Sequence, residues 1–106
     1  MEPLEPSAQF VIRREQLPLL SRPYAAPRTS TERSLAEIWS AALNLDQVGI
    51  DDHYPDLGGD SLIAAVIFSQ IEAKLGARLR MVTLDSAPTI AELAARIDKM
   101  QARPDK

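Results

Sequence analysis

Three stretches of this chain repeat apolar residues at the spacing of one helical face. Leu35, Ile38, Trp39, Ala42 and Leu43 recur at intervals that stack on one side of a helix. So do Ala64, Ile67, Phe68, Ile71 and Leu75, and again Ile90, Leu93, Ala94, Ile97 and Met100. Start and stop signals bound these stretches. Thr29 with Glu32, and Thr89 with Glu92, have capping-box spacing, and Pro88 precedes the second cap. Asn44 or the turn after it ends the first helix. The middle helix is expected from Ser61 to Leu75, with Asp60 as N-cap and Gly76 as its stop. Within residues 77–88, Leu79, Met81, Val82 and Leu84 predict a short helix near Thr83 to Ser86. No strand or internal repeat stands out. The pattern predicts an all-α bundle of three long helices and one short one.

The rest of the chain is connection and tail. Residues 45–60 form a long loop between the first two helices. It holds Asp46, Asp51, Asp52, Asp56 and Asp60 and no lysine or arginine. Val48, Ile50, Tyr54 and Leu57 are placed to pin it to the core. A loop of this length in a small domain is more often functional than idle. Residues 1–28 carry five of the eight prolines, a density that breaks helices. They read as a Pro-rich tail or linker. Within them, Phe10 to Leu17 is apolar enough for a short helix or strand that docks on the domain or on a partner. A poorly ordered tail fits the same residues equally well. The ordered domain is expected over residues 29–101, with 102–106 frayed.

Composition narrows the class. A chain of 106 residues suits one small domain. Its net charge of -3 argues against a nucleic-acid partner, which would call for a basic stripe. There is no cysteine, so disulfides, zinc ribbons and thiol nucleophiles are excluded. With His53 the single histidine, a multi-histidine metal site is excluded as well. No apolar run approaches the ~18 residues of a membrane span. The start, Met-Glu-Pro-Leu-Glu-Pro, lacks the charged and apolar regions of a signal peptide. A cytoplasmic protein with no membrane partner is expected.

Chemistry is concentrated in Asp56-Leu57-Gly58-Gly59-Asp60-Ser61-Leu62. Two glycines allow a tight turn into the middle helix. Ser61 then falls in the first turn, near the positive end of the helix dipole and its unpaired N–H groups, where a phosphate ester is favoured. A nucleophile elbow would need a glycine two residues after the serine, where Ile63 stands, and a positioned base, for which only His53 is available. A P-loop fails because no Gly-Lys-Ser/Thr follows the glycines. Two readings remain: a capping turn alone, or a presented hydroxyl. The second is favoured because Asp60 already supplies the cap. In addition, Leu62, Ala65, Val66 and Ser69 make a mostly apolar second face that suggests a partner site.

At these residues the chain resembles the peptidyl carrier, or thiolation, domains of nonribosomal peptide synthetases. The resemblance runs from about Tyr24 to Ile97. It is carried by Tyr24-Ala-Ala-Pro-Arg-Thr, Leu35-Ala-Glu-Ile-Trp and Val48-Gly-Ile-Asp-Asp-His-Tyr. Asp56-Leu-Gly-Gly-Asp-Ser-Leu, Ala87-Pro-Thr-Ile and Leu93-Ala-Ala-Arg-Ile complete it. The resemblance implies a non-enzymatic carrier with a four-helix acyl-carrier-like fold. Its implied cofactor is 4′-phosphopantetheine, moved from coenzyme A to Ser61, with Gly59 and Asp60 shaping the attachment turn. The arm would hold an aminoacyl or peptidyl group as a thioester. Leu62, Ala65, Val66 and Ser69 would form the docking face. The implied partners are a phosphopantetheinyl transferase, an adenylation enzyme, and condensation, thioesterase or tailoring enzymes. The pattern departs from the family at Pro55, which follows Tyr54 where a second aromatic is usual, and at Asp85, where phenylalanine is common.

An acyl carrier of polyketide or fatty-acid type is the nearest alternative. The middle helix carries Glu72 as its single acid, balanced by Lys74, which favours the peptidyl type. An unmodified helical adaptor is the alternative from another class. Met1 and the length suggest a free-standing carrier, although a segment of a larger synthetase would read the same.

Overall fold

The computed structural model describes residues 11–18, 20 and 22–101. The four expected helices are present: α1 (Ser30–Leu43), α2 (Ser61–Leu75), α3 (Thr83–Ser86) and α4 (Ile90–Gln101). Two short 3-10 turns, Arg14–Gln16 and Tyr54–Leu57, lie in the connecting chain. Among the described residues there is no strand, only an isolated parallel bridge between Ile12 and Leu45.

Local chemistry sets the helix ends. Thr29 caps α1 by accepting the Glu32 N–H at 3.1 Å. The Glu32 carboxylate does not reach back to Thr29 as a reciprocal box requires. It accepts instead from the Arg28 backbone N–H and guanidinium, each at 2.7 Å. Those bonds to Arg28 hold the Glu32 carboxyl below the usual carboxylate range. Asn44, at φ 61, closes α1 in the left-handed conformation, and Gly76, at φ 69, closes α2. At α4, Thr89 Oγ1 accepts the Glu92 N–H at 3.2 Å and donates to its carboxylate at 3.0 Å.

Helix α1 packs against both α2 and α4. Leu35 and Trp39 from α1, Ile67 and Ile71 from α2, and Ile90, Leu93 and Ile97 from α4 are fully buried. Burial of such side chains contributes roughly 1.5–3 kcal/mol each, which holds three amphipathic helices in one core. Met100 departs from the predicted apolar face of α4. It is exposed, although the same turn touches the bundle through Gln101, whose side-chain amide donates to the Leu75 carbonyl at 2.6 Å.

The long loop is stitched to its surroundings by backbone bonds. Ile50 N–H donates to the Ala25 carbonyl at 3.0 Å, Ala91 N–H to Ile50 at 3.0 Å, and Tyr54 N–H to Pro88 at 2.9 Å. Val48, Ile50, Tyr54 and Leu57 are all buried, as their spacing predicts.

The described part of the proline-rich stretch is docked, not loose. Ile12 N–H donates to the Asn44 carbonyl at 2.8 Å, and Asp46 N–H to Ile12 at 2.9 Å. Arg14 then reaches inward and grips Asp52 with two bonds, Nε to Oδ2 at 2.6 Å and Nη2 to Oδ1 at 2.7 Å. Proline density signals a break in helix, but it carries no information about a buried ion pair 38 residues away along the chain. Residues 1–10 and 102–106, including Phe10 and the expected C-terminal fraying, lie outside the described residues.

Candidate functional site

The turn into α2 is built from beneath by Tyr54. That side chain is 6% exposed and meets Trp39 edge-on, with ring centroids 5.4 Å apart. Gly58 closes the 3-10 turn at φ 87 in the left-handed region, where a residue with a side chain is strained. Gly59 serves a different need. Its backbone lies against the Tyr54 ring, and a Cβ there would overlap that ring. The Tyr54 hydroxyl donates to the Asp60 carbonyl at 2.7 Å. Burial, and secondarily the Asp60 charge, push the Tyr54 phenol up to about 12, so it keeps its proton and serves as a hydrogen-bond donor at neutral pH.

Asp60 is the N-cap of α2, and its Oδ1 accepts the Ile63 N–H at 2.9 Å. Ser61 follows as the first residue of the helix and is exposed. The opening N–H groups of a helix lack intrahelical partners. The Asp60 side chain takes that of Ile63, which leaves those of Ser61 and Leu62 for solvent or an anion at the positive end of the helix.

A cleft of about 260 Å³ opens beside Ser61, lined by Tyr54, Pro55, Asp60, Ala64, Met81, Leu84 and Asp85. Its floor is apolar and its charged members are the two carboxylates of Asp60 and Asp85. No basic residue lines it. A phosphate at Ser61 would face the N–H groups of the helix start. An exposed hydroxyl, two open N–H groups and an apolar cleft alongside fit a flexible phosphodiester-linked arm. Among the described residues no group of His, Asp and Glu is arranged to hold a metal ion.

The structure brings Gly59, Asp60 and Ser61 together as one turn. Leu62, Ala65, Val66 and Ser69 form an exposed stripe along α2, with Leu62 76% and Val66 48% exposed. Met81 and Val82, just before α3, are exposed too, and Met81 reaches the cleft. Sequence reasoning missed the roles of Met81, Leu84 and Asp85 as cleft walls, and that of the Tyr54 hydroxyl. An aromatic residue shortly before two glycines is the signal that could have pointed to the last of these.

The family profile described as "Phosphopantetheine attachment site" matches residues 33–97. Malpinin synthetase from Mortierella alpina is 49% identical over 74 residues, which are 70% of this chain and 1% of that protein. A chain in the structure of the phosphopantetheine transferase Sfp with coenzyme A and a peptidyl carrier protein superposes with a TM-score of 0.69. It is 33% identical and covers 72% of this chain and 99% of that one. The solution structure of an active-site mutant peptidyl carrier protein gives a TM-score of 0.72 at 29% identity, covering 81% of this chain and 94% of that one.

Fold and site together define a carrier rather than a catalyst. The chain belongs to the phosphopantetheine attachment-site family, whose cofactor is 4′-phosphopantetheine. It spans between 1% and 7% of the length of the first curated relatives it matches. No helix among the described residues is long and apolar enough to cross a membrane.

Proposed function

We propose that this chain is a peptidyl carrier domain that holds aminoacyl or peptidyl groups on an arm attached to Ser61. The observation that carries this reading is the exposed Ser61 hydroxyl at the start of α2, on a turn whose glycines and cap leave it nothing else to do. In loading, Ser61 Oγ bonds to the phosphorus at the pantetheine end of coenzyme A. The pyrophosphate bond breaks, adenosine 3′,5′-bisphosphate leaves, and the hydroxyl proton passes to the transferase. The arm supplies a terminal thiol for thioester formation, which suits a chain with no cysteine.

The remaining roles belong to the protein's own residues. Gly59 and Asp60 shape and cap the attachment turn. Leu62, Ala65, Val66 and Ser69 form the face on which the transferase, adenylation and condensation, thioesterase or tailoring partners dock in turn. The carrier unit is proposed as residues 29–101, working in the cytoplasm, where coenzyme A is at hand. The low acid content of α2 supports the peptidyl over the fatty-acid type, since a single glutamate gives little charge to steer a basic partner.

The test is to load the protein with phosphopantetheine and present it to adenylating enzymes with a panel of amino acids and ATP. Intact mass should show an aminoacyl gain that hydroxylamine removes. Gain from acyl-coenzyme A with an acyltransferase, and none from any amino acid, would instead place it with the acyl carriers.

A further inference from the structure

Tyr54 touches the attachment turn in two places at once. Its ring supports the Gly59 backbone at a distance that leaves no room for a Cβ. Its hydroxyl donates to the Asp60 carbonyl at 2.7 Å, the same oxygen that accepts the Ala64 N–H at 2.9 Å. Tyr54 is itself held from behind, by the bond from its N–H to the Pro88 carbonyl and by the edge contact with Trp39. The turn it supports is intrinsically loose. Two successive glycines have many backbone conformations open to them, and most would swing Asp60 and the helix start elsewhere.

We propose that Tyr54 is a positioning residue for the loading of Ser61: ring and hydroxyl together select the one turn conformation that presents the serine. The proposal rests on Ser61 being the attachment residue. The two contacts are separable. Phenylalanine at this position fills the same space and keeps the Trp39 contact, but it leaves the Asp60 carbonyl with Ala64 alone. A carrier whose turn is competent only part of the time looks more dilute to the transferase. Its KM rises by the reciprocal of the competent fraction, while kcat at saturation is unchanged. The loss of one neutral hydrogen bond sets the size of the effect at about two- to tenfold.

The experiment uses the whole chain, coenzyme A and a promiscuous phosphopantetheinyl transferase, with initial rates measured against carrier concentration. Amide exchange of Ile63 and Ala64, both bonded to Asp60, is followed in the unloaded protein. Tyr54→Phe should raise the carrier KM about two- to tenfold, leave kcat within twofold, and speed exchange at both amides. Ile97→Val, which loosens the core far along the chain from the turn, should lower the melting temperature without moving KM or those two amides. Gly59→Ala, which forces the turn off the ring by a different route, should reproduce the rise in KM should Tyr54→Phe not fold. An unchanged KM with unchanged exchange in Tyr54→Phe overturns the proposal, as does an unchanged KM in Gly59→Ala. Failure of the wild-type protein to load speaks against Ser61 instead, and the exchange data then judge the Tyr54 clamp alone.

Discussion

Asp52 has no exposed surface, and a carboxylate taken out of water costs several kcal/mol unless it is paired. Arg14 supplies the pair in fork geometry, and the Gly49 N–H adds a third bond at 2.9 Å. Asp52 in turn holds the Arg14 guanidinium above its ordinary pKa, chiefly through its two side-chain bonds to it. Arg14 also donates to the Arg22 carbonyl at 2.9 Å and lies 5.5 Å from the Tyr24 ring centre. One side chain thus fastens the chain before α1 to the loop after it. Arg14→Ala strands a buried charge and should cost about 3–5 kcal/mol in urea unfolding. It should also open the chain to trypsin at Arg22 and Arg28. Arg14→Met combined with Asp52→Leu should lose far less, because no charge is left behind. A loss below about 1 kcal/mol for Arg14→Ala would show that the ion pair does not hold the segment.

The three long helices were legible in the sequence because each carries two independent signals, an apolar period and a cap. For α2 both agree, and Ser61 and Leu75 are its observed ends. Where only one signal operated, reading was poorer. Met100 continues the period of α4 but is exposed. Glu32 has the capping-box position but is claimed by Arg28. The Arg14–Asp52 pair was not legible at all, since a contact between distant positions in non-periodic chain leaves no local pattern. Within α2 the division into faces was read correctly. Ala64, Ile67, Phe68 and Ile71 are buried, while Leu62 and Val66 are exposed. That division carries a prediction. Leu62→Glu alters a side chain that supports nothing in the fold, so unfolding free energy should stay within about 0.5 kcal/mol. Transfer rates with docking partners should fall at least tenfold if the stripe is the docking face. Unaltered rates across all partners would move docking elsewhere.

At the scale of the molecule, the bundle works as a mount for one hydroxyl. The α1–α2–α4 core anchors Trp39 and Tyr54, and Tyr54 supports the glycine turn. The turn sets Ser61 at the head of α2, beside an apolar cleft and next to an exposed apolar stripe. On the function proposed above, that arrangement supplies an attachment point and a docking surface, and the chemistry belongs to the arm and its partner enzymes. The turn that presents Ser61 was legible because Leu-Gly-Gly-Asp-Ser-Leu is a local motif. The cleft was not, because its walls come from residues 54–64 and 81–85 and meet only on folding. Whether Ser61 carries the arm is read from intact mass after incubation with coenzyme A and a promiscuous phosphopantetheinyl transferase. Wild-type protein should gain the mass of one phosphopantetheine and Ser61→Ala none. No gain in the wild type, or an equal gain in Ser61→Ala, would contradict the account.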